Sequence, residues 1–156
     1  MSDASVGFSE EHRRTLAAVL DAIIPPSADG SHPGAGELGL AAQVERALAQ
    51  TPALLPAIAQ GLESLDALAL QRDASRFAAL LPGDRSAVLR DFAAAQPGFL
   101  GPIVFHTFVG YYQHPRALAA IGLEARPPHP KGHALEAGDF GLLDAVRARG
   151  PIWRAS

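Results

Sequence analysis

Apolar residues at Leu54, Ile58, Leu62, Leu65 and Ala69 draw one unbroken stripe at helical spacing. That period restricts the stretch to an amphipathic helix. The same spacing recurs along the chain. Leu16, Val19, Leu20, Ile23 and Ile24 predict a first helix from about Glu10 to Ile24, and Leu40, Val44 and Leu48 a second from Glu37 to Gln50. The 54–69 stripe lies in a third helix, Pro52 to about Gln71, with Thr51 as its cap and Pro52 in first position. Phe77, Leu80 and Leu81 lead into a fourth, Pro82 to about Ala95, whose Val88, Leu89 and Phe92 face inward. Pro25-Pro26 ends the first helix, since neither proline donates an amide and the residue before a proline avoids helical angles. No alternating β-branched run bounded by turns occurs, so no strand is expected. The chain therefore reads as all-α, a single compact domain of about five to seven helices over residues 1–121. A long, largely irregular C-terminal arm follows over 122–156.

A fifth helix, about Pro97 to Gln113, is of another kind. Phe105, Phe108, Val109 and Tyr112 share one arc, Val104 and Tyr111 widen it, and Phe99 and Ile103 add apolar surface opposite. A helix apolar almost all round is either central in the core or covered on its outer side by another chain. Pro115 closes it, and residues 116–121 add a short turn. The arm from Gly122 to Gly141 has no periodicity, a short helix is expected around Leu142 to Arg149, and a lone tryptophan, Trp153, lies near the end. A connection that long without structure is either functional or disordered, and a single Trp at its end predicts docking. Tyrosine and arginine are enriched at interface centres, and a Pro-rich segment loses little entropy when it docks. The candidate partner contacts are accordingly His106, Gly110, Tyr111, Tyr112 and Pro115, with Arg126, Pro127, Pro128, His129 and Trp153 of the arm. The competing reading of the tyrosine pair puts one in the core and the other as its cap.

Composition narrows the function. Hydrophobic residues make up 48% and charged residues 19% of the 156, an apolar balance that points to surface covered by a partner. A formal charge of −3 argues against nucleic acid, which selects a basic stripe. With no cysteine, disulfides, thiolate zinc sites, iron–sulfur clusters and covalent c-type haem are excluded. No apolar run reaches the roughly 18 residues of a spanning helix. Arg13-Arg14 before TLAAVL superficially looks like a twin-arginine export signal, but Ser9-Glu10-Glu11 opens a helix and Asp21 interrupts the apolar run. Without a signal peptide the expected location is cytoplasmic, or periplasmic if the chain is exported together with a partner.

Motifs for chemistry are weak. Gly34-Ala-Gly-Glu-Leu-Gly39 satisfies G-x-G-x-x-G, yet a helix and a Pro-rich turn precede it where a dinucleotide site needs a strand. Its glycines read as a flexible lead-in to the second helix. His129 and His133 fall in a Pro/Gly-rich loop, without helical spacing or a Glu-x-x-His partner, and His12 and His32 read as surface. Ser27, Ser31 and Ser75 lack an evident base nearby in sequence, and Glu63, Asp66, Asp84 and Asp91 are expected on solvated helix faces. No residue of this chain is assigned to catalysis, cofactor or metal. The alternative is a free-standing helical enzyme or ligand-binding module with a pocket around His106 and Tyr111.

Two stretches carry a resemblance. Ile24-Pro25, the Asp29-Gly30 turn and Ala35-Gly36-Glu37 form the first, and Thr107, Gly110, Tyr111 and Tyr112 the second. With the Leu81-Pro82 helix start between them, residues 10–115 resemble the gluconate 2-dehydrogenase subunit 3 family. That resemblance implies a non-catalytic small subunit that binds and stabilises a large flavoprotein and assists its maturation. The flavoprotein is an FAD-dependent dehydrogenase of the glucose–methanol–choline type, oxidising sugars, sugar acids or alcohols. FAD is then expected in the partner subunit and none in this chain, with a c-type cytochrome as the onward electron carrier.

Overall fold

In the computed structural model, which describes residues 7–126, 132, 134 and 137–150, Ser9 caps helix α1 (Glu10–Ile23). The Ser9 hydroxyl accepts the His12 amide at 3.0 Å, and His12 Nδ1 accepts the Ser9 amide at 3.3 Å. This is a capping box with histidine in the place usually held by glutamate or glutamine. Glu10 and Glu11 sit in the first turn, where the helix dipole favours negative charge. The helices that follow are α2 (Ala41–Leu48), α3 (Leu54–Asp73), α4 (Pro82–Ala95), α5 (Pro97–Tyr111) and α6 (Pro115–Ala120). A 3-10 turn, Phe77–Ala79, lies between α3 and α4. No strand occurs among the described residues, and the all-α expectation holds.

Two helices start later than their periodicity predicts. Residues 37–40 form turns because Gly39 adopts φ 69°, a left-handed value that no helix interior tolerates, so α2 begins at Ala41. Helix α3 begins at Leu54; Thr51 offers no side-chain cap, and its carbonyl instead accepts the Leu54 amide at 2.9 Å. The far end of α3 closes on Ala74 at φ 51°, a left-handed conformation carried here by a residue with a Cβ.

Within residues 1–125, helix α1 packs against α2, α3, α4, α5 and the 3-10 turn. Leu16, Val19 and Leu20 meet Val44, Leu48, Leu62, Leu65, Phe77 and Ile103 in one core. Each such side chain contributes about 1.5–3 kcal/mol by leaving water. Helix α5 joins this core through Phe99, Ile103, Thr107, Gly110 and Tyr111. Phe99 packs against α3 at Gly61, where any side chain would collide with its ring.

Asp66, expected on a solvated helix face, is built into the packing instead, and so are Arg85 and Asp21. Asp66 is only 6% exposed. Its carboxylate accepts the Thr15 hydroxyl at 3.0 Å and the Phe77 amide at 3.0 Å, clipping α3 to α1 and to the 3-10 turn. Arg85 reaches back along the chain and donates to the carbonyls of Ala78 at 3.1 Å and Leu80 at 3.0 Å. Asp21 is half-buried and accepts the Gly36 amide at 2.7 Å. These placements follow from loops folding back onto helix ends, which a single helix's periodicity does not encode.

Asp21 also explains the glycine motif. A side chain at Gly36 would strike the Ala17 carbonyl and the Asp21 carboxylate, and one at Gly34 would strike that carboxylate and the Pro26 ring. Gly34 and Gly36 serve close packing of the α1–α2 connection and Gly39 its left-handed turn, rather than flexibility. Residues 126–156 form a separate contact unit. There Asp139 caps a 3-10 turn, Phe140–Leu143, that runs into α7 (Asp144–Arg147). The described residues of that unit are exposed, Phe140, Leu142 and Val146 among them.

Candidate partner-binding face

The five buried residues of α5 recur on one side, and this fixes what lies on the other. At 3.6 residues per turn, Gly98, Gly101, Phe105, Phe108, Val109 and Tyr112 fall within an arc of about 100° on the outer side. Phe105 is 63%, Phe108 42% and Tyr112 50% exposed, with Val109 exposed beside them. The rings are organised: Phe108 stacks on Tyr112 with centroids 6.0 Å apart, and Phe105 meets His106 edge-on at 5.1 Å. From Pro97 to Pro115 the sequence has no Asp, Glu, Lys or Arg. An uncharged, aromatic and open helix face is what an interface centre offers before its partner arrives.

The sequence candidates separate into three groups. Gly110 and Tyr111 lie inside the chain's own core, contrary to their expected place on a contact surface. Gly110 packs against the Gln43 side chain, and the Tyr111 hydroxyl donates to the buried Pro33 carbonyl at 2.9 Å. Burial, and then the neighbouring Tyr112, push the Tyr111 phenol above its ordinary value. Tyr112, His106, Pro115 and Arg126 reach the surface wholly or in part, and His106 makes no hydrogen bond among the described residues. Pro127, Pro128, His129 and Trp153 lie outside the described residues. The sequence-based set omitted Phe105, Phe108 and Val109. The signal that finds them is the opposing run Phe99, Ile103, Thr107, Gly110, whose three- and four-residue steps mark the inward side.

Elsewhere the chemistry is committed to structure. His106 and Tyr111, five residues apart on one helix, point about 140° away from each other, so they do not converge on a pocket. An open cleft of about 420 Å³ between α1 and α3 is lined by Ser9, Glu11, His12, Glu63, Asp66 and Arg76. His12 pairs with Glu63 at 3.0 Å, Arg76 lies against Glu11 and 3.4 Å from Asp66, and Asp66 is already bonded. In the 27–32 turn the Ser31 hydroxyl is 2.8 Å from His32 Nδ1, so a base does stand beside this serine. Both hydroxyls of that turn are held by Asp29, at 2.6 Å from Ser27 and 2.7 Å from Ser31. Their hydrogen bonds hold the Asp29 carboxyl far below its usual range. The group is an exposed, self-bonded turn with no cleft above it. Among the described residues no three His, Asp or Glu side chains are placed to hold a metal ion. No described helix is long and apolar enough to cross a membrane.

The family model described as Gluconate 2-dehydrogenase subunit 3 matches residues 10–123. No curated protein and no solved structure matches the chain.

Proposed function

The chain belongs to the gluconate 2-dehydrogenase subunit 3 family, and on that premise we propose that it is a non-catalytic small subunit. It binds, stabilises and assists the maturation of a large FAD-dependent dehydrogenase subunit that oxidises sugars, sugar acids or alcohols. The flavin chemistry and the substrate site then belong to the partner, with a c-type cytochrome as the onward electron acceptor. This chain's task is to cover and hold.

The observation that carries the reading is the open face of α5. Each half-exposed ring there stands to release on the order of 1 kcal/mol when covered, and no charge opposes that covering. The rest of the molecule supports the same reading. Its buried polar groups close internal connections, as Tyr111 does at Pro33 and Asp66 at Thr15 and Phe77. The exposed apolar residues of the 140–146 segment offer a second place for contact.

Co-expression with the large subunit tests the proposal. Phe108→Asp puts a charge at the centre of the face without entering the core. The expected result is a variant that keeps its helicity while the yield of soluble, flavin-loaded large subunit falls several-fold. An undiminished yield would remove the proposal's main support.

A further inference from the structure

The capping box of α1 is closed by a side chain that can lose its acceptor. In the usual box a glutamate or glutamine takes the amide of the capping residue on an oxygen. Here His12 takes the Ser9 amide on Nδ1 at 3.3 Å. A backbone amide only donates, so Nδ1 presents its lone pair and carries no hydrogen. The other ring nitrogen, Nε2, lies 3.0 Å from Oε1 of Glu63 on α3. A carboxylate only accepts, so Nε2 carries the hydrogen of the ring. Ser9 and Glu63 together fix one tautomer of a neutral imidazole. A second proton then has one place to go, the nitrogen that holds the Ser9 amide.

The surroundings keep that event local. The His12 side chain is 17% exposed, so water reaches it. Of the charged groups around the ring, Glu11 of α1 lies against Arg76, and Asp66 of α3 is bonded to Thr15 and to the Phe77 amide. Glu63 is the carboxylate that meets the ring, and it holds an imidazolium in place as an ion pair. Arg76 in the same cleft and the positive end of the α1 dipole act against the added charge. Phe8, edge-on to the ring at 5.9 Å, has an anchor of its own. It is buried, and its amide donates to Oε1 of Glu45 on α2 at 2.7 Å. The hydrogen bond from Arg13 holds the Glu45 carboxyl below its usual value, so this anchor does not loosen when His12 takes up a proton. The Ser9 hydroxyl likewise accepts the His12 amide whatever the state of the ring.

We infer that His12 is a proton-operated latch on the turn ahead of α1. A proton at Nδ1 turns the acceptor into a donor, sets two N–H groups against each other and releases the Ser9 amide to water. The ring stays on Glu63, and Phe8 stays in the core. Ser9 borders the open cleft between α1 and α3, so its release loosens one rim of that cleft without unfolding the helix. Histidine is the side chain that ordinarily changes charge between about pH 5 and 8. Glutamine at this position would close the box throughout that range, because its amide oxygen does not titrate.

The test follows the nitrogen-15-labelled full chain by NMR from about pH 8 to about pH 5, as wild type and as His12→Gln. At the upper end the wild-type ring is expected to carry its hydrogen on Nε2 and a bare Nδ1. As the ring titrates, the Ser9 amide signal is expected to shift in step with it. Its protection from exchange, corrected for the intrinsic pH dependence, should fall about fivefold, the factor of one ordinary hydrogen bond. The Phe8 amide and the helical circular dichroism are expected to hold steady. In His12→Gln the Ser9 signal should stay fixed through the range. A ring hydrogen on Nδ1 at the upper end would overturn the inference, and so would a Ser9 amide indifferent to the ring's titration. The same Ser9 titration in His12→Gln would overturn it too, by showing that another group drives the change. The tautomer is read on the wild type alone, so it decides the matter even if the variant does not fold.

Discussion

Tyr111 and Tyr112 are neighbours with opposite tasks, and exchanging each for phenylalanine separates them. Tyr111 is 4% exposed and its hydroxyl donates to the Pro33 carbonyl at 2.9 Å, tying the end of α5 to the loop between α1 and α2. Tyr111→Phe keeps the ring and its packing but leaves a buried carbonyl without its donor, which costs about 1–3 kcal/mol. For a helical unit of this size about 1 kcal/mol corresponds to roughly 3–5 °C, so a central value of about 2 kcal/mol lowers Tm by about 6–10 °C. The Tyr112 hydroxyl has no hydrogen bond among the described residues and its ring is half in water. Tyr112→Phe should stay within about 0.5 kcal/mol of wild type, as is usual at a surface position without special contacts. Circular dichroism melts of the full chain decide between them. If Tyr111→Phe melts with wild type, or Tyr112→Phe falls as far as Tyr111→Phe, the assignment of one ring to the fold and the other to the open face is wrong.

Ala74 holds a left-handed conformation at the end of α3, so Ala74→Gly should raise stability by about 1 kcal/mol. A urea midpoint that does not rise would show that this helix end is not strained. Burial, ahead of repulsion from Glu37, raises the Asp21 carboxyl above its ordinary value against the pull of the Gly36 and Glu37 amides and of Arg85. The folded state therefore binds more protons than the unfolded chain between the ordinary and the raised value, and this group's contribution to stability declines as pH rises through that window. Asp21→Asn should abolish the decline, seen as a flatter dependence of the urea midpoint on pH above about 4. Parallel curves for wild type and variant would refute it. Glu45, lowered chiefly by its hydrogen bond with Arg13, acts in the opposite direction in both proteins and cancels in the comparison.

Much of this fold is legible in the chain because each helix carries its own period and its own stop. Pro25-Pro26, Pro82 and Pro97 mark boundaries that the structure keeps within a residue or two, since proline acts locally through its missing amide and fixed φ. What periodicity could not supply were the contacts made by segments folding back. Asp66 looks like any acid on a helix surface until the Phe77 amide and the Thr15 hydroxyl are brought to it from elsewhere in the chain. The candidate face shows the same limit. A helix apolar on both sides does not declare which side is inward. That was decided by Gly61 of another helix, which leaves room for Phe99 and so turns Phe105, Phe108 and Tyr112 outward.

The claim that α5 is one half of a heteromeric contact is tested most directly on the chain isolated from its own cells under gentle conditions. Size-exclusion chromatography with simultaneous detection of protein and of flavin absorbance gives the answer. The chain is expected to elute together with a larger, flavin-bearing polypeptide, and to part from it when Phe108→Asp replaces the wild type. Elution alone, or only as copies of itself with no flavin absorbance beneath the peak, would contradict the account.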